Sequence, residues 1–335
     1  MKSFGVVPRT KNKVVCGSPY VPVEWIRAHG LEPRRLDHQG NESRKPIDGE
    51  VGICPYMRTF VNSAVSDPDV LAVILPTTCD QMRRGADLAT LRAETPVFLM
   101  NIPTVCKTES AHKLYLSELK RLGRFLVSLG GTEPDHEKLL LVMQDFNQRR
   151  QDLISGEMVL TGKEFDRIID DSYRSDKEDE DELPYLDCED KAPVALIGAH
   201  LLPRDFELFD MITDAGGVVA LNGTDSGERV VPGFFNGRKL QDDPTQAFSS
   251  AYLDTIPDIF QRPNDQLFQW LQRMVESREI CGVILVRYTW CDHWHAEASR
   301  LRECCAVPFL DLELNGEAVG ESAKGRLQAF MEMLR

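Results

Sequence analysis

The stretch VILPTTCDQMRRGAD, residues 73 to 87, runs a β-branched apolar segment into a cysteine and an aspartate and then turns to a helical pattern. Nearer the C-terminus, VILVRYTWCDHWHAEA, residues 283 to 298, does the same. The agreement extends past the cysteine. Alanine and proline follow at offsets of 7 and 17 residues in both copies, Ala86 and Pro96 after Cys79, Ala298 and Pro308 after Cys291, and an apolar run succeeds each proline. Each copy therefore reads as strand, loop carrying Cys-Asp, helix, strand, a βαβ unit whose loop lies at the carboxyl end of its first strand. Ligands of open α/β sheets bind at that end. The pattern implies two related half-domains, each offering one cysteine from the mouth of a sheet.

Outward from these units the alternation continues. Apolar runs at 70–76, 97–103, 192–203, 218–222 and 309–314 read as strands, and 3.6-residue patterns place helices at about 23–28, 110–129, 133–154, 205–215, 267–278 and 323–334. A further helix starts behind Cys54, where Pro55 suits a first helical position. Residues 223–250 read as irregular. Such alternation implies an α/β fold of doubly wound parallel sheets. The expected division is an N-terminal lobe, 1–155, with Cys54 and Cys79, an acidic linker or insert, 156–191, and a C-terminal lobe, 192–335, with Cys291. At 335 residues and 42% hydrophobic content, each lobe can build its own core.

The formal charge of −14 argues against a nucleic-acid partner, which needs a basic face. Residues 170–191, with eleven acids against three bases, hold −8 of it. That segment reads as an exposed linker, with a docking surface for a basic partner as the alternative. No apolar run approaches the roughly 20 residues of a membrane span, and the first residues lack the apolar core of a secretory signal. A cytoplasmic protein that does not enter the membrane is expected.

Nine cysteines, an odd number without secretory context, speak for thiols kept for metal or chemistry and a few for packing. Cys54, Cys79 and Cys291 share a context, each before a helix whose free N–H groups favour a thiolate. Soft thiolates select iron–sulfur clusters, zinc or copper(I). Three readings stay open on the residues alone. The three cysteines are buried packing groups; they join His293 and His295 of CDHWH in a zinc site; or they hold an iron–sulfur cluster. GEMVLTGKE, 156–164, fails as a phosphate loop, because its glycines are too far apart and Glu164 follows Lys163. No dinucleotide fingerprint or serine elbow occurs either. Asp80 and Asp292 read as helix N-caps.

Several strings along the chain, VPVEWIRAHGLEPRRL (21–36), ICPYMR (53–58), DVLAVILPTTCD (69–80), FLMNIP (98–103), Asn147 with Arg150, WCD (290–292) and GRLQAFMEML (325–334), together resemble the D-component family of 2-hydroxyacyl-CoA dehydratases. That family also contains benzoyl-CoA reductase subunits and double-cubane cluster proteins. The resemblance implies two flavodoxin-like lobes with a [4Fe–4S] cluster between them, held by Cys54, Cys79 and Cys291. It further implies an acyl-CoA substrate, a homologous second subunit or a second copy of the chain, and a separate ATP-hydrolysing iron–sulfur activator that delivers low-potential electrons. Glu24 falls at the family's P-x-E position and becomes the candidate catalytic carboxylate near the cluster. His293, His295 and Arg58 are candidates for supporting it. The alternatives are a stand-alone homodimeric reductase carrying an [8Fe–9S] double cubane, and a non-catalytic scaffold or electron-relay subunit.

Overall fold

The computed structural model describes residues 11–35, 52–92, 94–155, 190–235, 240, 243–317 and 319–335. The acidic segment, apart from its last two residues, lies outside them. Two sheets of four strands, all parallel, organise the chain. The first has the order β2-β1-β3-β4, from β1 (Lys13–Cys16), β2 (Glu32–Arg34), β3 (Val70–Pro76) and β4 (Val97–Met100). The second repeats that order as β6-β5-β7-β8, from β5 (Ala192–Gly198), β6 (Gly217–Thr224), β7 (Gly282–Tyr288) and β8 (Phe309–Leu314). The chain therefore reverses direction across each sheet between its first and third strands, β1/β3 and β5/β7. This is the doubly wound, flavodoxin-like order, and it opens a crevice at the carboxyl ends of those strands.

The two copies of the sequence repeat occupy matching places. Val73 N–H donates to Pro96 O and Val283 N–H to Pro308 O, each at 2.9 Å, so the prolines mark the start of the strand that pairs with each VIL strand. Side chains alternate across the first sheet with the two-residue strand period. Val15, Val73 and Leu75 point to the face covered by α2 (Pro55–Ser66) and α3 (Asp80–Arg92), and their cluster continues into the core of the second sheet. Val14, Cys16 and Ile74 point to the other face, covered by α1 (Val23–Ala28), α4 (Glu109–Ser128) and α5 (His136–Ser155).

That second face has an additional cover. Phe235, Phe248, Tyr252 and Phe260, which follow β6 in the chain, join the apolar cluster of the first sheet. Phe248 comes from a short helix, α7 (Pro244–Ser249), and Tyr252 from the π turn Ser250–Asp254 beyond it, while Phe235 and Phe260 flank the two; Trp25 meets Phe248 edge-on at 5.7 Å and Tyr115 stacks near Tyr252 at 6.2 Å. Residues 223–250, expected to be irregular, contain this helix. Its residues PTQAFS have little helix propensity, and burial of its aromatic neighbours supplies what propensity does not. The remaining helices, α6 (Glu207–Asp214), α8 (Asp265–Ser277), α9 (Asp292–Cys304) and α10 (Glu321–Leu334), surround the second sheet. Among the described residues, no helix is long and apolar enough to cross a membrane.

Candidate functional site

Three thiols reach one cavity by the same local device. Cys54 is the N-cap of α2, Cys79 immediately precedes α3, and Cys291 is the N-cap of α9. In an N-cap the side chain can accept the otherwise unpaired N–H three residues on. Accordingly Cys54 Sγ accepts from Met57 N–H and Cys79 Sγ from Met82 N–H, both at 3.4 Å; the Trp294 N–H, three residues after Cys291, also favours ionisation of that thiol. Asp80 and Asp292, expected as caps, stand one residue further along as the first residues of their helices. Freed from capping, the Asp80 carboxylate accepts from Arg83 Nη1 at 2.7 Å.

The cavity has a volume of about 300 Å³ and lies where the carboxyl ends of the two sheets meet. Ser18 follows β1, Thr77 and Thr78 follow β3, Ala199 and His200 follow β5, and Asp225 follows β6, all lining it. Both switch points thus open onto one space. Two contacts hold its lips together across the seam: His293 Nε2 lies 3.0 Å from Thr78 O, and His200 stacks on Tyr56 with ring centroids 4.3 Å apart at 10°. Tyr288, also in the wall, donates its hydroxyl to the buried Asp205, which accepts Leu202 N–H as well at 2.9 Å.

Burial sets the electrostatics. It pushes the Cys54 and Cys291 thiols up to about 12 and raises Cys79 as well. The charge each thiolate would carry works against the others, Cys79 on Cys54 and both on Cys291. The three sulfurs therefore stand within electrostatic reach of one another and stay protonated unless a cation joins them. No three His, Cys, Asp or Glu residues among those described stand close enough to hold a single metal ion. Of the two histidines of CDHWH, His293 is tied to Thr78, and His295 is exposed on α9 beside Glu313. An iron–sulfur cubane places fewer demands on proximity, since each cysteine binds its own iron at a separate corner. One buried and two half-buried soft donors, a shared cavity and three helix N-termini that favour negative charge fit such a group.

Among the expected site residues, the cavity brings together Cys54, Cys79, Cys291 and His293. Glu24 lies elsewhere. Its carboxylate is fully buried, paired with the Arg150 guanidinium, and accepts from Tyr252 Oη at 2.6 Å beside a much smaller cavity. Arg58 is half-buried on α2, outside the cavity lining, although its charge favours ionisation of Cys54. Asn147 and Arg150 clamp the crossing segment: Asn147 exchanges two hydrogen bonds with the Phe235 backbone, at 2.9 and 3.1 Å, and Arg150 donates to Gly233 O at 3.0 Å. Sequence reasoning did not single out His200, Tyr288, Asp225 or Asp258, which all line the cavity. Position at the end of the β5 strand could have flagged His200; Asp258 sits in an irregular stretch with no such signal.

Over residues 19–334 the chain matches the model of a family described as 2-hydroxyglutaryl-CoA dehydratase, D-component. No curated protein matches it.

Proposed function

The chain belongs to this dehydratase D-component family, and on that premise we propose that it is the iron–sulfur component of a 2-hydroxyacyl-CoA dehydratase, with Cys54, Cys79 and Cys291 holding a [4Fe–4S] cluster. The observation that carries this reading is the convergence of three N-cap thiols on a single cavity at the meeting of two switch points. Such a cluster, when bound, supplies a one-electron path to the carbonyl of a CoA thioester.

The protein's own residues then have definable tasks. The amides of Met57, Met82 and Trp294 stabilise negative charge on the three sulfurs. His293 fixes the Cys291 loop against the Cys79 loop through Thr78, so that both thiols keep one spacing. Arg229, fully buried beneath the wall, holds Asp225 and Asp258 in place. Glu24 is assigned to the Arg150 pair and a structural task. The other described cysteines do not line the cavity, and Cys281, Cys304 and Cys305 lie next to the amino-terminal ends of β7 and β8. That placement favours the single cubane over the [8Fe–9S] double cubane. In this reading ATP is hydrolysed by a separate activator protein, a homologous subunit or second copy completes the enzyme, and the complex works in the cytoplasm.

The test is iron and acid-labile sulfide per chain on anaerobically prepared protein, with Cys54→Ala, Cys79→Ala and Cys291→Ala measured beside it. About four irons per chain, lost in each variant while Cys281→Ala keeps them, is the expected result. Protein that remains iron-free after anaerobic reconstitution would overturn the reading.

A further inference from the structure

The charge lining the cavity bears on which acyl group it receives, a question that rests on the dehydratase reading above. Four carboxylates, Asp80, Asp225, Asp258 and Asp292, face the space against two guanidiniums, Arg83 and Arg262. Both guanidiniums are already engaged. Arg83 donates to Asp80 and, at 3.2 Å, to Thr77 O. Arg262 donates to Ile259 O and Gln261 O at 2.7 and 2.8 Å, with Glu297 at 3.9 Å. Behind the wall, Arg229 is shared between Asp225 and Asp258 and spends its other donors on Gly223 O and Pro257 O, at 2.7 and 2.8 Å. One guanidinium between two carboxylates leaves that wall net negative. The two histidines present are committed as well, His293 to Thr78 and His200 to its stack on Tyr56.

Beside the polar Ser18, Thr77, Thr78, Thr104 and Gln81, part of the wall is apolar. Tyr20 and Phe260 meet edge-on at 5.1 Å, and Met82 and Ile259 also line the cavity. Trp290, beside Cys291, stands 55% exposed at the rim with a left-handed backbone φ of 70°. That conformation is strained for a bulky residue and persists only where its surroundings impose it.

We propose that the cavity selects a small uncharged 2-hydroxyacyl group and discriminates against an acyl chain ending in a carboxylate, such as the glutaryl group in the family's description. A terminal carboxylate would lose its water beside Asp225 and Asp258, and the two guanidiniums among the described lining residues, Arg83 and Arg262, already hold other partners. A branched or short alkyl end meets Met82, Ile259 and Phe260 and buries apolar surface instead. Discrimination here comes from repulsion as much as from attraction.

Equilibrium binding of 2-hydroxy-4-methylpentanoyl-CoA and 2-hydroxyglutaryl-CoA to the iron-loaded full-length chain, under anaerobic conditions, decides the matter. The neutral thioester should bind at least about tenfold more tightly, and the ratio should narrow as salt screens the carboxylates. Asp258→Asn should narrow the ratio between the two thioesters by improving the glutaryl thioester relative to the neutral one. Equal or tighter binding of the glutaryl thioester by the native chain overturns this specificity and leaves the dehydratase reading standing. A ratio insensitive to salt also overturns it, and needs no variant to fold. If iron-loaded protein binds neither thioester, this inference fails, while its iron content decides the dehydratase reading separately.

Discussion

Removing the Glu24 carboxylate would leave the Arg150 guanidinium buried with its counter-charge gone. Breaking a buried pair from one side typically costs about 3–5 kcal/mol, so Glu24→Ala should lower the urea midpoint sharply, and Glu24→Gln, which keeps hydrogen-bonding capacity, less so. Unchanged stability with lost turnover would instead return Glu24 to the chemistry. Asp205 offers a test by pH. Burial pushes its carboxyl up to about 6, above the ordinary carboxylate value, although Tyr288 Oη and Leu202 N–H favour the ionised form and its Oδ1 has no partner. A carboxyl that holds its proton more tightly in the folded chain contributes stability at low pH and loses that contribution as pH rises from about 4 through about 6. The loss is at most about 3 kcal/mol. Plotted against pH over that window, the stability difference between native protein and Asp205→Asn should show this single step; a flat difference would remove Asp205 as the titrating group.

Among the elements, β5 and β7 show how closely the second sheet is built. Gly198 ends β5 with φ of 137°, and a Cβ there would sit 1.8 Å from Val286 O of β7. Strain and overpacking together put Gly198→Ala at about 2–6 kcal/mol of destabilisation, measurable as a lowered thermal midpoint, with disturbance of the neighbouring Ala199 and His200 at the cavity. Elements of this kind were legible wherever apolar runs were long. β3 and β8 coincide with their expected bounds, and most helices agree within a few residues. β2, only Glu32–Arg34, was not, because its two charged residues and a proline carry no apolar period; it exists through pairing with β1. α7 was missed because tertiary burial, not propensity, makes it. Of the site, the three cysteines were readable since a strand end and a helix start are both local patterns. Asp225 and Asp258, which lie beyond the repeat, become wall residues only when chain segments far apart in sequence meet. The aspartates after Cys79 and Cys291 misled as caps because a thiol is the less usual capping group.

At the scale of the whole molecule, the cavity joins residues from both sheets, so whatever fills it holds the two halves together. On the reading proposed, a cluster binds the native form only, and removing it with a chelator should lower the thermal midpoint by about 5 °C or more. Because burial holds the three thiols protonated, cluster loading must release about one proton per thiol, and loading should weaken as pH falls. A pH-stat recording in weak buffer checks the release; no proton uptake or release on loading would mean that these thiols are not the ligands. The segment carrying Phe235 to Phe260 crosses back to roof the first sheet. During synthesis, then, the first half cannot close when its own last helix emerges. It waits for on the order of 100 further residues, about 5–20 s at ordinary rates of elongation, with a broad apolar face open to the ribosome surface and to any chaperone standing by.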